Sequence, residues 1–169
     1  MNELLAFYTG HGCDSAGRTF DQLLRFSDAE LERTHDYIQW LFPLSTRSQA
    51  VPSSPQLDTP TITMLRDNPQ AQERIRLAFA RMLQFYGLLL DDDPDDPIVD
   101  RGPHWESRHR NWLSKGNHNY HRITRILTSL HVLGRPKYAL AFYDCLALIN
   151  RDHGGKIGDA FAHWRGAVR

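Results

Sequence analysis

Apolar residues recur at helical spacing through most of the chain, and the clearest case lies between residues 118 and 133. One face of this segment carries Tyr120, Ile123, Ile126, Leu127, Leu130 and Leu133. The opposite face carries only basic and hydroxyl groups, namely His118, Arg122, Arg125 and Ser129, with His121 beside them. This spacing predicts an amphipathic helix, and Asn117 is a typical residue to cap its start.

The same periodicity predicts three further long helices, over residues 27–42, 69–87 and 136–150. Ser27 and Glu30 form a capping-box pattern at the start of the first, and Pro69 suits the first position of the second. The third is so broadly apolar that we expect it to be central; its apolar residues are Ala139, Leu140, Phe142, Tyr143, Leu146 and Ile149. Shorter helices are predicted over residues 18–26, 61–68, 106–114 and 156–168.

No segment alternates apolar and polar residues as a half-buried strand does. We therefore predict an all-α fold, a single globular domain over residues 1–169 with about seven to eight helices packed around 136–150.

The acidic run Asp91-Asp-Asp-Pro-Asp-Asp96 has two interpretations, a solvated loop or a calcium site. An EF-hand loop needs ligands at alternate positions, a central glycine and a closing glutamate. The run has neither of those two residues, so we predict a flexible loop.

The charge balance narrows the classes of function. The 169 residues hold 20 Lys and Arg against 20 Asp and Glu, so the formal net charge is zero. This gives no global positive field for nucleic acid or a membrane surface. No apolar run is long enough to span a bilayer, and the first residues lack the positive cluster of a secretory signal. We expect a cytoplasmic protein without a transmembrane segment.

The basic face of the helix predicted after Asn117 suits an anion. The first turn of a helix presents free N–H groups, and arginines at this spacing suit a carboxylate or phosphate. The alternative is internal, with Arg122 and Arg125 paired to Glu32 or Asp36. Both interpretations stand, and they are compatible if a ligand joins the pairing.

Metal binding and catalysis have weaker support. His118 and His121 share a helix face, but no cysteine cluster or His-Glu-x-x-His pattern accompanies them. His35 and Asp36 are neighbours that would point about 100° apart on a helix, so they do not easily form a general-base pair. We predict no metal site, no cofactor and no catalytic residue.

Aromatic residues fit either a peptide groove or a core. They are Tyr37, Trp40, Trp105, Trp112 and Tyr120. Aromatic anchors dominate peptide recognition, but large aromatic side chains also fill cores. The core is favoured for Trp112. Both readings stay open for Trp40, which lies off the apolar stripe of its helix.

Six motifs follow one another along the chain. They are Phe7-Tyr8-Thr9-Gly10, Asp14 with Gly17-Arg18, His35-Asp-Tyr-Ile-Gln-Trp-Leu-Phe-Pro43, Met82-Leu-Gln-Phe-Tyr-Gly87, Asn111-Trp112-Leu113 and Asn117-His-Asn-Tyr-His-Arg-Ile-Thr-Arg-Ile-Leu127. In their identity and order they resemble the conserved N-terminal region of the opioid growth factor receptor family.

The resemblance implies a non-enzymatic binding domain. The animal receptor of this family is described as binding the pentapeptide Met-enkephalin and restraining growth at the nucleus. Short members also occur in bacteria and fungi. This sequence has no repeat tail and no basic nuclear-targeting cluster after the conserved region. The resemblance assigns no catalytic residue.

We predict that the two longest motifs meet in space and bind a peptide or another small anionic ligand. The ligand-binding residues are then His35, Asp36, Gln39, Trp40, Asn117, His118, Asn119, Tyr120, Arg122 and Arg125. An uncharacterised enzyme using the same His/Arg pocket is the alternative. Nucleic-acid binding through the basic face is a third class, which the zero net charge disfavours because affinity for phosphates needs clustered cations.

Overall fold

The computed structural model describes residues 2–169, which are mostly helical. These residues form ten α-helices and one two-stranded sheet. The chain divides into two compact units, one that ends at Arg81 and one that spans Met82–Arg169. The helical part of the predicted fold is confirmed, a small sheet is added, and the single domain over residues 1–169 stays a prediction.

The helices of the first unit are short, and one long helix crosses the boundary between the units. In chain order they are α1 (Glu3–Thr9), α2 (Phe20–Leu24), α3 (Asp28–Arg33), α4 (Ile38–Leu41), α5 (Thr59–Asp67) and α6 (Pro69–Tyr86). The predicted capping box at Ser27 is present, with hydroxyl and Glu30 carboxylate each accepting a backbone N–H. Pro69 begins α6, as predicted.

The predicted helix over residues 27–42 is wrong in its middle, because the chain leaves the helix at Thr34. Thr34 has φ −94° and ψ 131°, an extended conformation. Tyr37 is fully buried, and its hydroxyl donates to the Leu31 carbonyl at 3.1 Å. Burying this side chain against the preceding turn competes with continuing the helix, so α3 and α4 are separate.

Phe7 is the centre of the aromatic core of the first unit. Its ring packs edge-on against those of Tyr8, Phe20 and Trp40, at centroid distances of 5.6, 5.5 and 5.3 Å. Trp40 is 3% exposed. Of the two interpretations of Trp40, a peptide groove or a core, its burial within its own unit supports the core.

The second unit opens with a hairpin and continues with helices. Its elements are β1 (Leu88–Asp91), β2 (Ile98–Arg101), α7 (Trp105–Arg108), a 3₁₀-helix (His109–Asn111), α8 (Asn119–Val132), α9 (Pro136–Asp152) and α10 (Ala160–Ala167). Helix α8 packs on α9, and α10 packs on both. No helix within residues 2–169 has the length and apolar character needed to cross a membrane.

The hairpin corrects the prediction that no strand is present. β1 and β2 are antiparallel, with Leu88 opposite Arg101 and Asp91 opposite Ile98. Each strand has only four residues, too few to produce a readable alternation. Asp91 ends β1, and residues 92–96 of the acidic run form the loop of the hairpin, so the predicted loop is present for most of the run. It is tied to α9, where the Tyr138 hydroxyl donates to the Asp92 carboxylate.

The core of the second unit forms around α8 and α9. The fully buried side chains Ile123, Ile126, Leu127, Leu130, Phe142, Leu146 and Trp164 contribute to it. Trp112 is also buried, and its indole N–H donates to the Tyr86 carbonyl at 2.9 Å. Helix α9 does not bury all of its apolar side chains. Leu140 is 49% exposed and Tyr143 is half-buried, because α9 is covered on fewer sides than its apolar sequence suggests.

Candidate functional site

Asn117 organises the start of α8. Its side-chain oxygen accepts the Asn119 N–H at 2.9 Å, and its carbonyl accepts the Tyr120 N–H at 3.0 Å. Its amide group donates to the Asn111 carbonyl at 3.1 Å. The predicted role of Asn117 as an acceptor for early N–H groups is confirmed, although the helix begins at Asn119. The side chain therefore fixes the direction in which α8 leaves the preceding turn.

A cleft of about 900 Å³ opens beside this helix start, entirely within the second unit. One wall comes from residues 115–124 and the other from the segment that leads into α10. The lining residues are Lys115, Gly116, Asn117, Tyr120, His121, Thr124, Gly155, Lys156, Ile157, Gly158, Asp159, Ala160 and His163. The cleft is therefore large enough for a small ligand or part of a peptide.

The second wall of the cleft is formed by a turn at residues where the sequence predicted the first turn of a helix. We expected helix over residues 156–168, but α10 begins only at Ala160. Gly158 has φ +66°, which a right-handed helix does not accept. Asn150 holds the turn in place: its side-chain oxygen accepts the Ile157 N–H at 3.1 Å, and its carbonyl accepts the Gly155 N–H at 2.8 Å. The wall is a defined turn anchored to α9.

The charges that line the cleft are mostly basic. Lys115 and Lys156 are exposed, and neither forms an ion pair within residues 2–169. His121 and His163 are also exposed there, and Asp159 is the one carboxylate among the lining residues. With the histidines neutral, two lysines against one aspartate leave the cleft positive.

Tyr120 lies in the wall between α8 and α10. The residue is 5% exposed, and its hydroxyl is buried without a hydrogen-bond partner in the described chain. Burial raises the pKa of Tyr120, and the Ser114 backbone N–H opposes this only in part. That N–H already donates to the Trp112 carbonyl at 3.0 Å. The Tyr120 hydroxyl is thus a neutral donor with its hydrogen bond unused.

The basic face predicted for α8 is only partly exposed to solvent. Arg122 is 6% exposed, and its guanidinium donates to the Asn119 side chain at 3.3 Å. Arg125 is half-buried, and burial lowers its pKa. Asn119 is fully buried, whereas His118 remains exposed. Packing surrounds α8 on most of its circumference, which spacing along the sequence does not reveal.

The predicted site residues of the first unit take part in its own contacts. Asp36 accepts from Arg18 at 2.8 Å, and Arg18 also bonds the buried Asp14 at 2.7 Å. Gln39 is buried and donates to the His35 carbonyl at 3.3 Å, while its side-chain oxygen accepts no hydrogen bond in residues 2–169. That this motif meets residues 117–125 stays a prediction.

The five aromatic candidates do not form an open groove. Tyr37, Trp40, Trp105, Trp112 and Tyr120 are all buried, with at most 6% of any residue exposed. The core interpretation is confirmed for Trp112 and applies equally to Trp40. Of these five, only Tyr120 also lines the cleft.

The ligand-binding residues predicted from the sequence include Asn117 and Tyr120, which line the cleft, but most of the other lining residues were missed. Lys115 lies just before the motif that begins at Asn117, and His121 lies within it, but neither was among the predicted contacts. Lys156, Asp159 and His163 come from a segment that had been assigned to a helix. The available signal was the Gly154-Gly155-Lys156-Ile157-Gly158 sequence, in which three glycines around one lysine mark a turn.

No group of three or more His, Cys, Asp or Glu side chains among residues 2–169 is arranged to hold a metal ion. The residues that line the cleft instead offer hydrogen-bond donors and positive charge, which suit a ligand with anionic oxygens.

Comparison with known families gives one match across nearly the whole chain. Residues 5–165 match the family described as "Opioid growth factor receptor (OGFr) conserved region". No solved structure matches the chain.

Curated relatives agree with this family match. An opioid growth factor receptor-like protein 1 from Mus musculus is 42% identical over 110 residues, 64% of this chain and 23% of the relative. The Xenopus tropicalis protein of the same name is 40% identical over 110 residues, again 64% of this chain, and 20% of the relative. The opioid growth factor receptor of Homo sapiens is 34% identical over 142 residues, 82% of this chain and 20% of the relative. The chain thus spans under a quarter of the length of these relatives.

Proposed function

The chain belongs to the opioid growth factor receptor family, and from that premise we propose that it is a binding module for a peptide or another small anionic ligand. The human relative is named an opioid growth factor receptor, and the matched region includes every residue that lines the cleft. A cytoplasmic location stays a prediction for this chain.

The observation that carries the proposal is the cleft beside the start of α8. It is about 900 Å³ in volume, and it is lined by two lysines that form no ion pair with any residue from 2 to 169. Its walls combine polar groups from the Asn117 turn with the ring of Tyr120 and the buried side chain of Ile157. Concave sites with a few placed polar groups and apolar surface are typical of small-molecule and peptide sites.

The two alternatives have less support in the structure. Nucleic-acid binding through α8 would need Arg122 and Arg125 to reach phosphates, but Arg122 is buried and Arg125 is half-buried. An enzyme using the same arginines meets the same obstacle. Neither alternative is proposed further.

Binding is tested by titrating ¹⁵N-labelled protein with Met-enkephalin, and separately with inorganic phosphate and with acetate. We expect at least one of these probes to produce saturable shifts in the amide signals of residues 115–124 and 155–163. A pentapeptide with the same residues in reversed order is the control for the peptide. If none of the probes moves these signals at millimolar concentration, the proposed function is wrong. Shifts that spread along α8 with duplex DNA and vanish in salt would favour the nucleic-acid alternative.

A further inference from the structure

We infer that the cleft binds the anionic oxygens of its ligand, a carboxylate or a phosphate, between Lys115 and Lys156 and against the Tyr120 hydroxyl. This inference rests on the proposed function and names the chemical group that the cleft recognises. It adds Lys115 and Lys156, which come from separate parts of the sequence, to the ligand contacts.

The first support is the contrast between lysines and arginines. In the first unit Arg18, Arg74 and Arg81 each pair with an aspartate, at 2.6 to 3.0 Å. Lys115 and Lys156 lie exposed on opposite walls of the cleft and have no carboxylate partner in the described residues. Two lysines against one aspartate leave a net positive charge in this space, which favours an external anion there.

The second support is the Tyr120 hydroxyl. A buried polar group without a hydrogen-bond partner is unfavourable for the free protein. Tyr120 lines the cleft, and its hydroxyl is buried and unpaired in residues 2–169. Because burial raises its pKa, the phenol stays protonated at neutral pH and acts as a donor. An anionic oxygen that reaches this hydroxyl supplies the missing hydrogen bond.

The third support is the position of two helix N-termini beside the cleft. Helix α8, with 14 residues, and α10, with 8 residues, both have their N-terminal ends among the lining residues. No side chain caps the N-terminus of α10. The partial positive charge of helix N-termini favours anions at this place. The helix ends add to the two lysines and to Tyr120 and do not stand alone.

The shape of the walls leaves room for such a group. A Cβ atom built on Gly116, Gly155 or Gly158 would meet no other atom within 4 Å. At these three positions the backbone borders open space. Asp159 faces the same space with the opposite charge, so it limits how much negative charge the cleft accepts.

The test compares Met-enkephalin as the free acid with the same peptide as its C-terminal amide, because the pentapeptide carries its one carboxylate at the C-terminus. Inorganic phosphate is the second probe, and it separates a phosphate ligand from a peptide carboxylate. Affinities are measured by calorimetry on the full chain, and the ¹⁵N spectrum locates the binding. The variants are Lys115→Gln with Lys156→Gln together, Tyr120→Phe and Asp159→Asn. Lys137→Gln is the matched control, since Lys137 is an exposed lysine that donates to the Asp95 carbonyl and does not line the cleft.

We expect the acid form to bind at least roughly 10-fold more tightly than the amide, or phosphate to bind in its place, as charge-assisted hydrogen bonds predict. The double lysine variant should lose roughly 10-fold or more of that affinity, and Lys137→Gln should lose none. Asp159→Asn should bind more tightly. Tyr120→Phe should weaken binding without lowering the melting temperature of the free protein, because its hydroxyl has no internal bond to lose.

Equal affinity for acid and amide, with shifts in the cleft signals and no phosphate binding, would overturn this inference and leave peptide binding intact. Anion binding that survives the double lysine variant would also overturn it. Absence of cleft shifts with the peptide, phosphate and acetate alike would overturn both the inference and the proposed function.

Discussion

At the scale of single residues, the chain uses its arginines and its lysines differently. Arg18 joins the buried Asp14 to Asp36, with contacts of 2.6 and 2.8 Å. The planar guanidinium suits such a double role, and a flexible ammonium does not. The cations that line the cleft are instead Lys115 and Lys156. Arg18 therefore has a structural role within its unit. Lys115 and Lys156 instead contribute the positive charge of the candidate site.

His153 makes the second unit sensitive to acid. Partial burial lowers its pKa, and the nearby positive charges of His109, Arg101 and Lys156 lower it further. Its pKa in the folded state is then below that of the unfolded chain, about 6.5. Its contribution to stability is complete above that pH and is lost as the pH falls through the lowered folded value. We expect the free energy of unfolding to decline below about pH 6.5, as measured by urea denaturation across pH.

The substitution His153→Gln separates this residue from other acid-sensitive groups. It should reduce the decline of stability at low pH, and His11→Gln, an exposed histidine of the first unit, should leave the decline unchanged. An unaltered pH dependence in the His153→Gln protein would contradict the assignment.

At the scale of elements, local sequence chemistry predicts where a helix begins or ends better than it predicts whether a helix continues unbroken. The capping box at Ser27 and the proline at the start of α6 are present as predicted. The split between α3 and α4 follows from the burial of Tyr37, which no local pattern records. The hairpin also depends on tertiary contacts, because α9 holds its loop through hydrogen bonds. Tertiary contacts therefore decide the elements that propensity alone describes poorly.

Gly87 at the end of α6 is required by both conformation and space. It has φ +81°, and a Cβ there would lie 2.9 Å from the Arg108 Cβ and 3.0 Å from the Trp105 Cα. Gly87→Ala should therefore cost about 2–4 kcal/mol, from backbone strain together with overpacking. Chemical denaturation followed by circular dichroism measures this loss.

Gly154→Ala is the matched control for Gly87→Ala. Gly154 has φ +66°, but a Cβ there meets nothing within 4 Å. It should cost only about 1–2 kcal/mol, the strain of the left-handed conformation. Equal losses in the two variants would show that the close approach of Trp105 and Arg108 contributes nothing.

At the scale of the whole molecule, the two units share one continuous helix. Helix α6 runs from Pro69 to Tyr86 and contains the boundary between Arg81 and Met82. Neither unit holds the whole helix, and helix formation is cooperative along the chain. We expect one cooperative unfolding transition, which is also what a single domain over residues 1–169 predicts.

Two probes distinguish one transition from two. The first unit contains Trp40, and the second contains Trp105, Trp112 and Trp164. Fluorescence of a Trp40→Phe protein reports only on the second unit, while circular dichroism reports on all helices. Coincident urea curves are expected. Separated midpoints would mean that the units unfold independently and that the single domain is wrong.

The linear sequence was enough to predict the helical content, the caps of several helices and the family. These depend on residue spacing, turn chemistry and motif order, which are properties of the linear chain. It also brought Asn117 and Tyr120 to the candidate site, because the turn before α8 is legible in the Lys-Gly-Asn sequence. The family is then shown by a match over residues 5–165.

Only the tertiary structure decided which polar groups reach solvent. Arg122 is buried although its position on the helix predicted a polar face, because α8 is packed on most sides. Lys115 and Lys156 line one cleft although they are far apart in the sequence, because α10 packs back on α8 and brings its glycine turn with it. Burial and proximity between distant residues depend on how helices pack, and the spacing within any one helix does not carry that information.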